Sequence, residues 1–269
     1  MTKHGKILTH IFLILVSALS VFPLLWMIVS ATNKSVDILR GKLTPGGYFI
    51  ENLRSLMQSQ NLGRAMYNSF RNAFLLTFLS VLICSIAGYG FEIYHSKWKD
   101  RVMGVLLLAM MVPFIAIMIP LFKMVSGWKL INTLPALLLP SLSTPFLILM
   151  FRQGARSFPD EIIEAARLDG VTEIGIYFRM FVPIMKSTFG AAITVTFMSA
   201  WNSYLWPLIV FQKNETITMP LMVSNLMGVY ETDYGQLMLG VLMCTLPTAI
   251  IFLCLQRSFT EGITGSVKG

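Results

Sequence analysis

The chain has 269 residues, of which 55% are hydrophobic and 13% are charged, and its mean hydropathy is +0.69. A soluble domain of this size carries about 25% charged residues, so the composition excludes an ordinary soluble domain and indicates an integral membrane protein with several spans. The net charge of +8 does not indicate nucleic-acid binding, because basic residues beside membrane spans are what the positive-inside rule produces.

The first apolar run lies at residues 7–30 and follows Lys3 and Lys6. A cleaved signal peptide is the alternative interpretation, but the apolar stretch exceeds the usual h-region of about 7–15 residues and no clear cleavage site follows it. We therefore predict an uncleaved first span with the N-terminus in the cytoplasm. The polar residues 31–67 are expected to form an extracytoplasmic loop with room to fold locally.

The second and third spans are predicted at residues 69–94 and 102–122. The turn between them carries three basic residues, Lys97, Lys99 and Arg101. This density of positive charge indicates a cytoplasmic turn, and Glu92 is close enough in sequence to pair with these bases.

The fourth span, at residues 134–151, contains Pro140 and Pro145 and is predicted to be kinked or broken. The fifth, at residues 187–205, is rich in small residues. Because small residues let helices pack closely in lipid, we place this span at the centre of the bundle. The remaining segments are an outer loop at 206–235, a last span at 236–256 and a cytoplasmic tail at 257–269.

The predicted fold class is therefore all-α: a polytopic membrane protein of about six transmembrane helices in a single domain over residues 1–269, with both termini in the cytoplasm. The cysteines lie inside apolar runs without CxxC spacing and are interpreted as small core residues. They are Cys84, Cys244 and Cys254. No metal site is predicted, since the histidines are dispersed.

A polar segment at residues 157–183 interrupts the apolar spans and is expected in the cytoplasm. Ser157 can cap a helix, with Asp160 in capping-box spacing, and Gly170 can end that helix in a left-handed conformation. One face of the helix is predicted to contain Ile162, Ala165, Ala166 and Asp169. The alanine pair would leave this face flat, so that another backbone can approach it.

A second short helix is predicted after Thr172, which can cap it, and Pro183 marks the turn into the fifth span. Its predicted apolar face consists of Ile174, Tyr177, Phe178 and Phe181. From the pattern alone, an amphipathic helix lying on the membrane surface is the alternative interpretation.

The run Glu164-Ala165-Ala166, followed after three residues by Gly170 and later by Pro183, resembles the EAA loop of ATP-binding-cassette (ABC) importer permeases. The surrounding residues resemble the carbohydrate-uptake branch, of the maltose and oligosaccharide type, and most closely the second permease subunit of the maltose importer. The resemblance implies a coupling helix that docks on a cytoplasmic ATPase. The coupling residues it implies are Glu164, Ala165, Ala166, Asp169 and Gly170.

The same resemblance implies four partners: a second permease subunit, two cytoplasmic ATPase subunits and an extracytoplasmic sugar-binding protein. It also implies that the outer loop at residues 211–234 corresponds to one that probes the binding protein in the maltose system. The glycine-rich end of the chain, residues 261–269, corresponds to one that reaches the ATPase interface in close relatives.

The chain lacks the motifs of an energy source of its own. A P-loop needs a Gly five residues before its Gly-Lys pair and a Ser or Thr directly after it. Around Gly41-Lys42 these two positions hold Val36 and Leu43, so the motif is absent. No ionisable residue lies near the middle of a predicted span, where ion-coupled carriers place such groups. We therefore expect a non-catalytic subunit that binds no cofactor, with ATP and Mg²⁺ held by the partner ATPases.

The end of the fifth span holds the densest aromatic and polar cluster of the chain. Asn202, Tyr204 and Trp206 are the candidate substrate-path residues, because a sugar needs hydrogen-bonding groups and a flat aromatic face. An interfacial aromatic belt with helix–helix hydrogen bonding by Asn202 is the alternative. We interpret Arg71 as snorkelling to the interface, with a substrate contact as its alternative.

These features predict the permease subunit of an ABC importer in a bacterial plasma or inner membrane, which moves a di- or oligosaccharide into the cell by alternating access. Two alternatives remain open. One is a permease of another ABC branch, for amino acids, peptides or phosphate. The other is a stand-alone secondary carrier.

Overall fold

The computed structural model describes residues 3–228 and 232–264, which form α-helices and turns without a strand. In chain order the helices are α1 (Lys3–Ser30), α2 (Ser35–Leu39), α3 (Phe49–Ser59), α4 (Leu62–Ile93), α5 (Lys97–Ala109), α6 (Phe114–Gly127), α7 (Leu134–Leu138), α8 (Pro145–Ala155), α9 (Asp160–Leu168), α10 (Glu173–Ile176), α11 (Val182–Ile184), α12 (Lys186–Trp201), α13 (Leu205–Val210), α14 (Met219–Asn225) and α15 (Tyr234–Thr264). Two 3-10 turns, Leu139–Ser141 and Asn214–Thr216, and a π-helical turn, Tyr177–Phe181, complete the described elements.

Three of these helices, α1, α4 and α15, are each long and apolar enough to cross a membrane. Three further pairs meet the criterion together and are bent at a short break: α5 with α6 by 99°, α7 with α8 by 48°, and residues 173–184 with α12 by 82°. Counting each bent pair once, the described residues contain up to six spans. The predicted all-α polytopic fold is therefore confirmed.

Helix boundaries differ from the predicted spans at several points. The loop predicted at 31–67 contains α2 and α3, and α4 begins within it at Leu62. The third span is two helices, with Pro113 as the N-cap of α6. Proline has no N–H to continue the α5 hydrogen-bond ladder. The helix α15 continues to Thr264, so the predicted tail begins as helix, while residues 265–269 lie outside the described part.

The predicted break in the fourth span is confirmed between α7 and α8, and side chains of α4 compensate for it. The hydroxyl of Ser80 donates to the carbonyl oxygen of Ser141 at 3.4 Å, and the thiol of Cys84 lies 3.7 Å from the carbonyl oxygen of Leu142. A carbonyl freed inside a membrane must find such a partner. Cys84 is thus a buried core residue as predicted, whereas Cys254 is exposed.

One compact unit consists of residues 1–63 and 219–247. Its interior is organised by the buried side chain of Asn52, whose Nδ2 donates to the carbonyl oxygens of Ala31 and Asn33 at 3.0 Å each. The start of α15 is capped by Asp233, whose carboxylate accepts the backbone N–H of Gly235 at 2.9 Å. These polar contacts give the region predicted as a loop a fixed structure.

The other compact unit consists of residues 64–218 and 248–269. At Gly88 the helices α4 and α8 approach so closely that a Cβ there would lie 2.6 Å from the Cβ of Phe151. Buried small residues of α12, Ala191 and Ala192, have no exposed surface. These close contacts agree with the general expectation that small residues let membrane helices pack tightly.

Candidate functional site

The polar segment at residues 157–183 begins with α9, but its N-terminal cap differs from the prediction. Pro159 is the N-cap, and no side chain caps the helix. The hydroxyl of Ser157 instead donates to the carbonyl oxygen of Gly154 in α8 at 2.7 Å, which also accepts the backbone N–H of Ser157 at 3.0 Å. Asp160 and Glu161 in the first turn of α9 still stabilise the positive end of its dipole.

The turn after α9 has the predicted chemistry. Gly170 has a φ of +73°, the left-handed conformation that glycine adopts at little cost. The N–H of Val171 donates to the carbonyl oxygen of Ala166 at 2.9 Å, which closes a Schellman-type end. Thr172 then caps α10 by accepting the N–H of Gly175 at 3.2 Å, as the sequence predicts.

The two alanines that the sequence places on one flat face of α9 lie on different sides of the helix, one buried and one exposed. Ile163 and Ala166 are buried, at 3% and 2% exposure, and pack into the apolar cluster that contains Phe158 and Phe181. Ala165 is exposed. The expectation that Ala165 and Ala166 share one face is therefore wrong, because the inner stripe of this helix is set by Ile163 and its i+3 neighbour.

The predicted apolar face of the second helix is also only partly correct. Tyr177 and Phe181 are buried, but Ile174 is 73% exposed and Phe178 is 52% exposed. The spacing changes because residues 177–181 form a π-helical turn, in which the N–H of Val182 donates to the carbonyl oxygen of Tyr177. The i, i+3, i+4 and i+7 rule holds for an uninterrupted α-helix, and the extra residue interrupts it after Tyr177.

The outward residues of this region form what we call the coupling surface. Its members are Glu164, Ala165, Leu168, Asp169, Gly170 and Ile174, all exposed. Leu168 is 89% exposed, which is unusual for leucine in a helix that has an apolar interior to pack against. The sequence-predicted coupling residues therefore lie on this surface, except Ala166, which packs inward.

Charged side chains hold α9 against α10 next to this surface. Arg167 Nε donates to Glu173 Oε1 at 2.7 Å, and Tyr94 donates to the same carboxylate. The guanidinium of Arg167 lowers the pKa of the Glu173 carboxyl below its ordinary value. The salt bridge is exposed and so contributes little to stability.

An ion-pair cluster that the sequence pattern does not indicate surrounds the buried guanidinium of Arg152. Its guanidinium contacts Glu92 at 2.9 Å and Asp100 at 2.6 Å, and Arg156 contacts Glu92 at 3.3 Å. The predicted pairing of Glu92 with the bases of the following turn is wrong. Lys99 instead donates to the backbone, since its Nζ lies 2.9 Å from the carbonyl oxygen of Gly90, where a cation complements a helix C-terminus.

The candidate substrate-path residues separate in the structure. Asn202 is exposed at the end of α12, Tyr204 is partly buried, and Trp206 is buried. The Trp206 Nε1 donates to the carbonyl oxygen of Ala136 at 2.9 Å. Arg71 donates through both Nε and Nη2 to Oδ1 of Asn72.

Trp206 lines a cavity of about 270 Å³ between α4, the broken pair α7 and α8, and α12. Asn202 and Tyr204 do not line it. The polar lining residues are Asn72, Ser80, Ser141, Thr144, Thr196, Ser199 and Ser203. The serine and threonine residues within the predicted spans are the sequence feature that could have indicated such a cavity.

The outer loop that the resemblance singles out, residues 211–234, is mostly ordered around α14. Met219, Leu221 and Met222 of this helix are buried. Asp233 caps α15 through the N–H of Gly235, and its carboxylate also accepts from Ser35 Oγ at 2.9 Å. Glu231, which belongs to the same predicted loop, lies outside the described residues.

Comparisons with known proteins agree with the sequence resemblance. A family model for the binding-protein-dependent transport system inner membrane component matches residues 80–264. The chain is 44% identical to the lactose transport system permease protein LacG of Rhizobium radiobacter, over 94% of this chain and 93% of that protein. It is 35% identical to the arabinooligosaccharides transport system permease protein AraQ of Bacillus subtilis (strain 168), over 98% and 96% respectively.

The fold also matches a solved structure. A chain from the crystal structure of a bacterial ABC transporter involved in import of the acidic polysaccharide alginate superposes with a TM-score of 0.85, over 96% of this chain and 99% of that one. The two sequences are 16% identical, so this likeness bears on the fold alone. The residues matched by the family model include the whole coupling surface.

Proposed function

We propose that this chain, which belongs to the family of binding-protein-dependent transport system inner membrane components, is the permease subunit of an ABC importer for a di- or oligosaccharide. It forms half of a translocation path with a second permease subunit and works by alternating access. Two cytoplasmic ATPase subunits drive it, and an extracytoplasmic sugar-binding protein delivers the substrate. ATP and Mg²⁺ are bound by the ATPase partners.

The observation that carries this proposal is the coupling surface. It presents an apolar side chain, Leu168, at 89% exposure beside the carboxylates of Glu164 and Asp169, on a helix anchored from behind by Ile163. An exposed apolar residue rimmed by polar ones is typical of a protein–protein contact. Each of the coupling residues Glu164, Ala165, Asp169 and Gly170 faces outward, where a partner can reach it, while Ala166 sets the inner packing.

The sugar substrate is supported by the names of the relatives. One is a lactose permease protein and another is an arabinooligosaccharides permease protein, and both align along nearly the whole chain. The alternative is an importer of another ABC branch, for amino acids, peptides or phosphate. A stand-alone carrier is the remaining alternative.

The orientation follows from the proposed docking. A coupling surface that meets a cytoplasmic ATPase requires residues 157–183 on the cytoplasmic side of a bacterial plasma or inner membrane. With six spans, both termini are then cytoplasmic, and the regions at 31–67 and 206–235 are extracytoplasmic. Single cysteines introduced at Gln58 and at Leu168 in a chain without native cysteines should react with a membrane-impermeant maleimide from opposite sides of the membrane.

The decisive experiment is co-purification through a tag on this chain, followed by reconstitution of the recovered complex in proteoliposomes. We expect a second permease and an ATPase to copurify, and ATP-dependent uptake of lactose or an arabinooligosaccharide when the matching binding protein is added. Sugar uptake by the purified chain alone, without ATPase subunits, would overturn the proposal in favour of a secondary carrier.

A further inference from the structure

One face of α5 is exposed from its first turn to its last. Three large side chains on this face are mostly exposed: Trp98 at 69%, Val105 at 65% and Leu108 at 66%. Lys97 and Arg101 are exposed on the same face near the start of the helix. At about 100° of rotation per residue, these five positions fall within one arc of about 100°. We call them the α5 stripe, which begins with two cations and a tryptophan and continues as apolar surface.

The opposite face of α5 packs against the protein and so fixes the direction of the stripe. Met103 is 3% exposed and belongs to the same apolar cluster as Ile148 and Phe151 of α8. Lys99 also faces away from the stripe, since its Nζ donates to the carbonyl oxygen of Gly90 at 2.9 Å. The α5 stripe therefore lies on the side of the helix away from α8, and the described residues leave it uncovered.

The two cations of the stripe have no counter-ion within the described part of the chain. The carboxylates nearest to them in sequence, Glu92 and Asp100, bind the buried guanidinium of Arg152 at 2.9 and 2.6 Å. No salt bridge or side-chain hydrogen bond of the described residues involves Lys97 or Arg101. The local acids thus face inward while these two bases face outward, so the complementary partner of the stripe is an anion outside the chain.

The depth of the cations favours a phospholipid headgroup as that anion. The bent pair of α5 and α6 is long and apolar enough to be one membrane span. At 1.5 Å per residue, Arg101 lies about 6 Å further along the helix than Lys97, and Val105 lies about 6 Å beyond Arg101. Cations and tryptophan directly above apolar, lipid-facing surface are typical of the edge of the hydrocarbon region. The phosphates at that depth belong to lipids.

We propose that the α5 stripe binds an anionic phospholipid. The lipid phosphate lies between the ammonium group of Lys97 and the guanidinium of Arg101, which are neighbours on the helix surface because they are four residues apart. The indole N–H of Trp98 donates at the level of the headgroup, and one acyl chain follows Val105 and Leu108. The leaflet is the cytoplasmic one, a placement that rests on the proposed function, whereas the binding itself rests only on the stripe.

The test uses Trp98 as a reporter, because bromine on a lipid acyl chain quenches the fluorescence of a tryptophan that it touches. The tagged chain, with the subunits that copurify with it, is reconstituted in phosphatidylcholine vesicles. These contain an increasing fraction of either brominated phosphatidylglycerol or brominated phosphatidylcholine. The same titration with Trp98→Phe added to each variant isolates the signal of Trp98. The ratio of the two half-quenching fractions measures the preference for the anionic headgroup.

We expect the wild-type complex to prefer phosphatidylglycerol at Trp98 by at least about fivefold, since each cation beside an anionic lipid contributes about that factor. Lys97→Gln combined with Arg101→Gln should abolish the preference. Lys97→Arg combined with Arg101→Lys keeps both charges and should retain it. Because these side chains are exposed, the midpoint of thermal unfolding should change little in either double variant.

The matched control is Lys123→Gln combined with Lys129→Gln. It removes the same charge beside another exposed tryptophan, Trp128, at the far end of the same bent span. The preference at Trp98 should stay within about twofold of wild type, because the influence of a charge falls off within a Debye length.

Three results would overturn the inference. The first is equal quenching of Trp98 by the two brominated lipids in the wild-type complex. The second is a loss of preference in the control as large as in the variant without Lys97 and Arg101, which would show an effect of net charge alone. The third is no quenching of Trp98 by either lipid, which would show that a protein subunit covers the stripe.

The outcomes are independent of the proposed function, because the titration needs no sugar and no ATP. A complex that moves neither lactose nor an arabinooligosaccharide would refute the proposed substrate class and leave the lipid site standing. A cysteine at Leu168 that reacts from the extracytoplasmic side would contradict the proposed orientation and the cytoplasmic leaflet, while the preference measured at Trp98 would still decide whether the stripe binds the lipid.

Discussion

The hydroxyl groups of Ser85 and Tyr177 lie 2.6 Å apart in the buried interior. Ser85 belongs to the long helix α4, and Tyr177 opens the π-helical turn that follows the coupling surface. Ser85 Oγ also donates to the carbonyl oxygen of Leu82 at 3.1 Å, so Tyr177 is the donor of the pair. The contact thus links the polar segment directly to a membrane span, which is the connection a coupling device requires.

We predict that Tyr177→Phe weakens this link. The loss of one buried hydrogen bond should lower the free energy of unfolding by about 1 kcal/mol, measured by thermal unfolding of the detergent-solubilised complex, and should reduce the sugar transported per ATP. Tyr89→Phe is the matched control, because the Tyr89 hydroxyl lies in the same cluster and has no hydrogen-bond partner among the described residues. Equal effects of the two variants would contradict a role for the Ser85–Tyr177 contact.

Gly170 separates the effect of backbone strain from that of side-chain bulk. A Cβ at this position meets no atom of the described residues within 4 Å, but the φ of +73° makes Gly170→Ala strained by roughly 1 kcal/mol. Asparagine tolerates this conformation better. We therefore expect Gly170→Ala to lower the thermal stability with little loss of uptake, and Gly170→Asn to keep stability while reducing the sugar moved per ATP.

The second half of that expectation depends on a partner. Because a Cβ at position 170 meets open space among the described residues, we expect the asparagine side chain to clash with another subunit. Uptake by Gly170→Asn at the wild-type rate would show that no ATPase surface lies close to the elbow.

The two alanines of the coupling motif should respond oppositely to the same change. Ala166 is 2% exposed, so Ala166→Leu overpacks the interior and should lower the free energy of unfolding by about 1–3 kcal/mol. Ala165 is exposed, so Ala165→Leu should leave the stability of the chain unchanged and reduce the amount of ATPase that copurifies with it. Thermal unfolding and quantitative pull-down measure the two effects, and a destabilised Ala165→Leu chain would refute this division of roles.

The buried guanidinium of Arg152 gives a further prediction. Arg152→Met leaves the carboxylates of Glu92 and Asp100 without their main partner and should cost about 2–3 kcal/mol of stability. This is less than the about 3–5 kcal/mol for a fully buried pair, because the Asp100 side chain is 44% exposed and solvent screens it.

The control for Arg152 is its neighbour Arg156, whose side chain is 53% exposed and pairs with Glu92 at 3.3 Å. Arg156→Met should cost less than about 1 kcal/mol, as exposed salt bridges do. The midpoint of thermal unfolding in detergent compares the two. A larger effect for Arg156→Met would show that the cluster is not organised around Arg152.

The signals that succeeded in the sequence were the strong and local ones. Apolar runs long enough to span a membrane predict the all-α polytopic fold, Gly170 predicts a left-handed helix end, and Thr172 predicts a helix cap. Each of these signals depends either on the chemistry of one residue or on the hydropathy averaged over a long run. Tertiary contacts therefore do not alter it. The family resemblance rests on residues that lie in this same segment.

The signals that failed depend on what packs against the residue. Ser157 lies between α8 and α9, so its hydroxyl can either accept an N–H at the start of α9 or donate to a carbonyl oxygen of α8. It donates to the carbonyl oxygen of Gly154 in α8. The face of the second helix was predicted from a spacing that the π-helical turn changes at Tyr177. Glu92 is near three bases in sequence but pairs with Arg152, which is distant in sequence and brought near by folding. No local sequence pattern indicates any of these three contacts.

The π-helical turn at Tyr177–Phe181 has a mechanical consequence. It holds one residue more than an α-helical turn, and each residue of an α-helix rotates the chain by about 100°. If the turn relaxes to α geometry, the residues before it must rotate by about that angle relative to α12. If the coupling surface has its proposed role, a displacement of that surface would then reach α12 as a rotation by one residue.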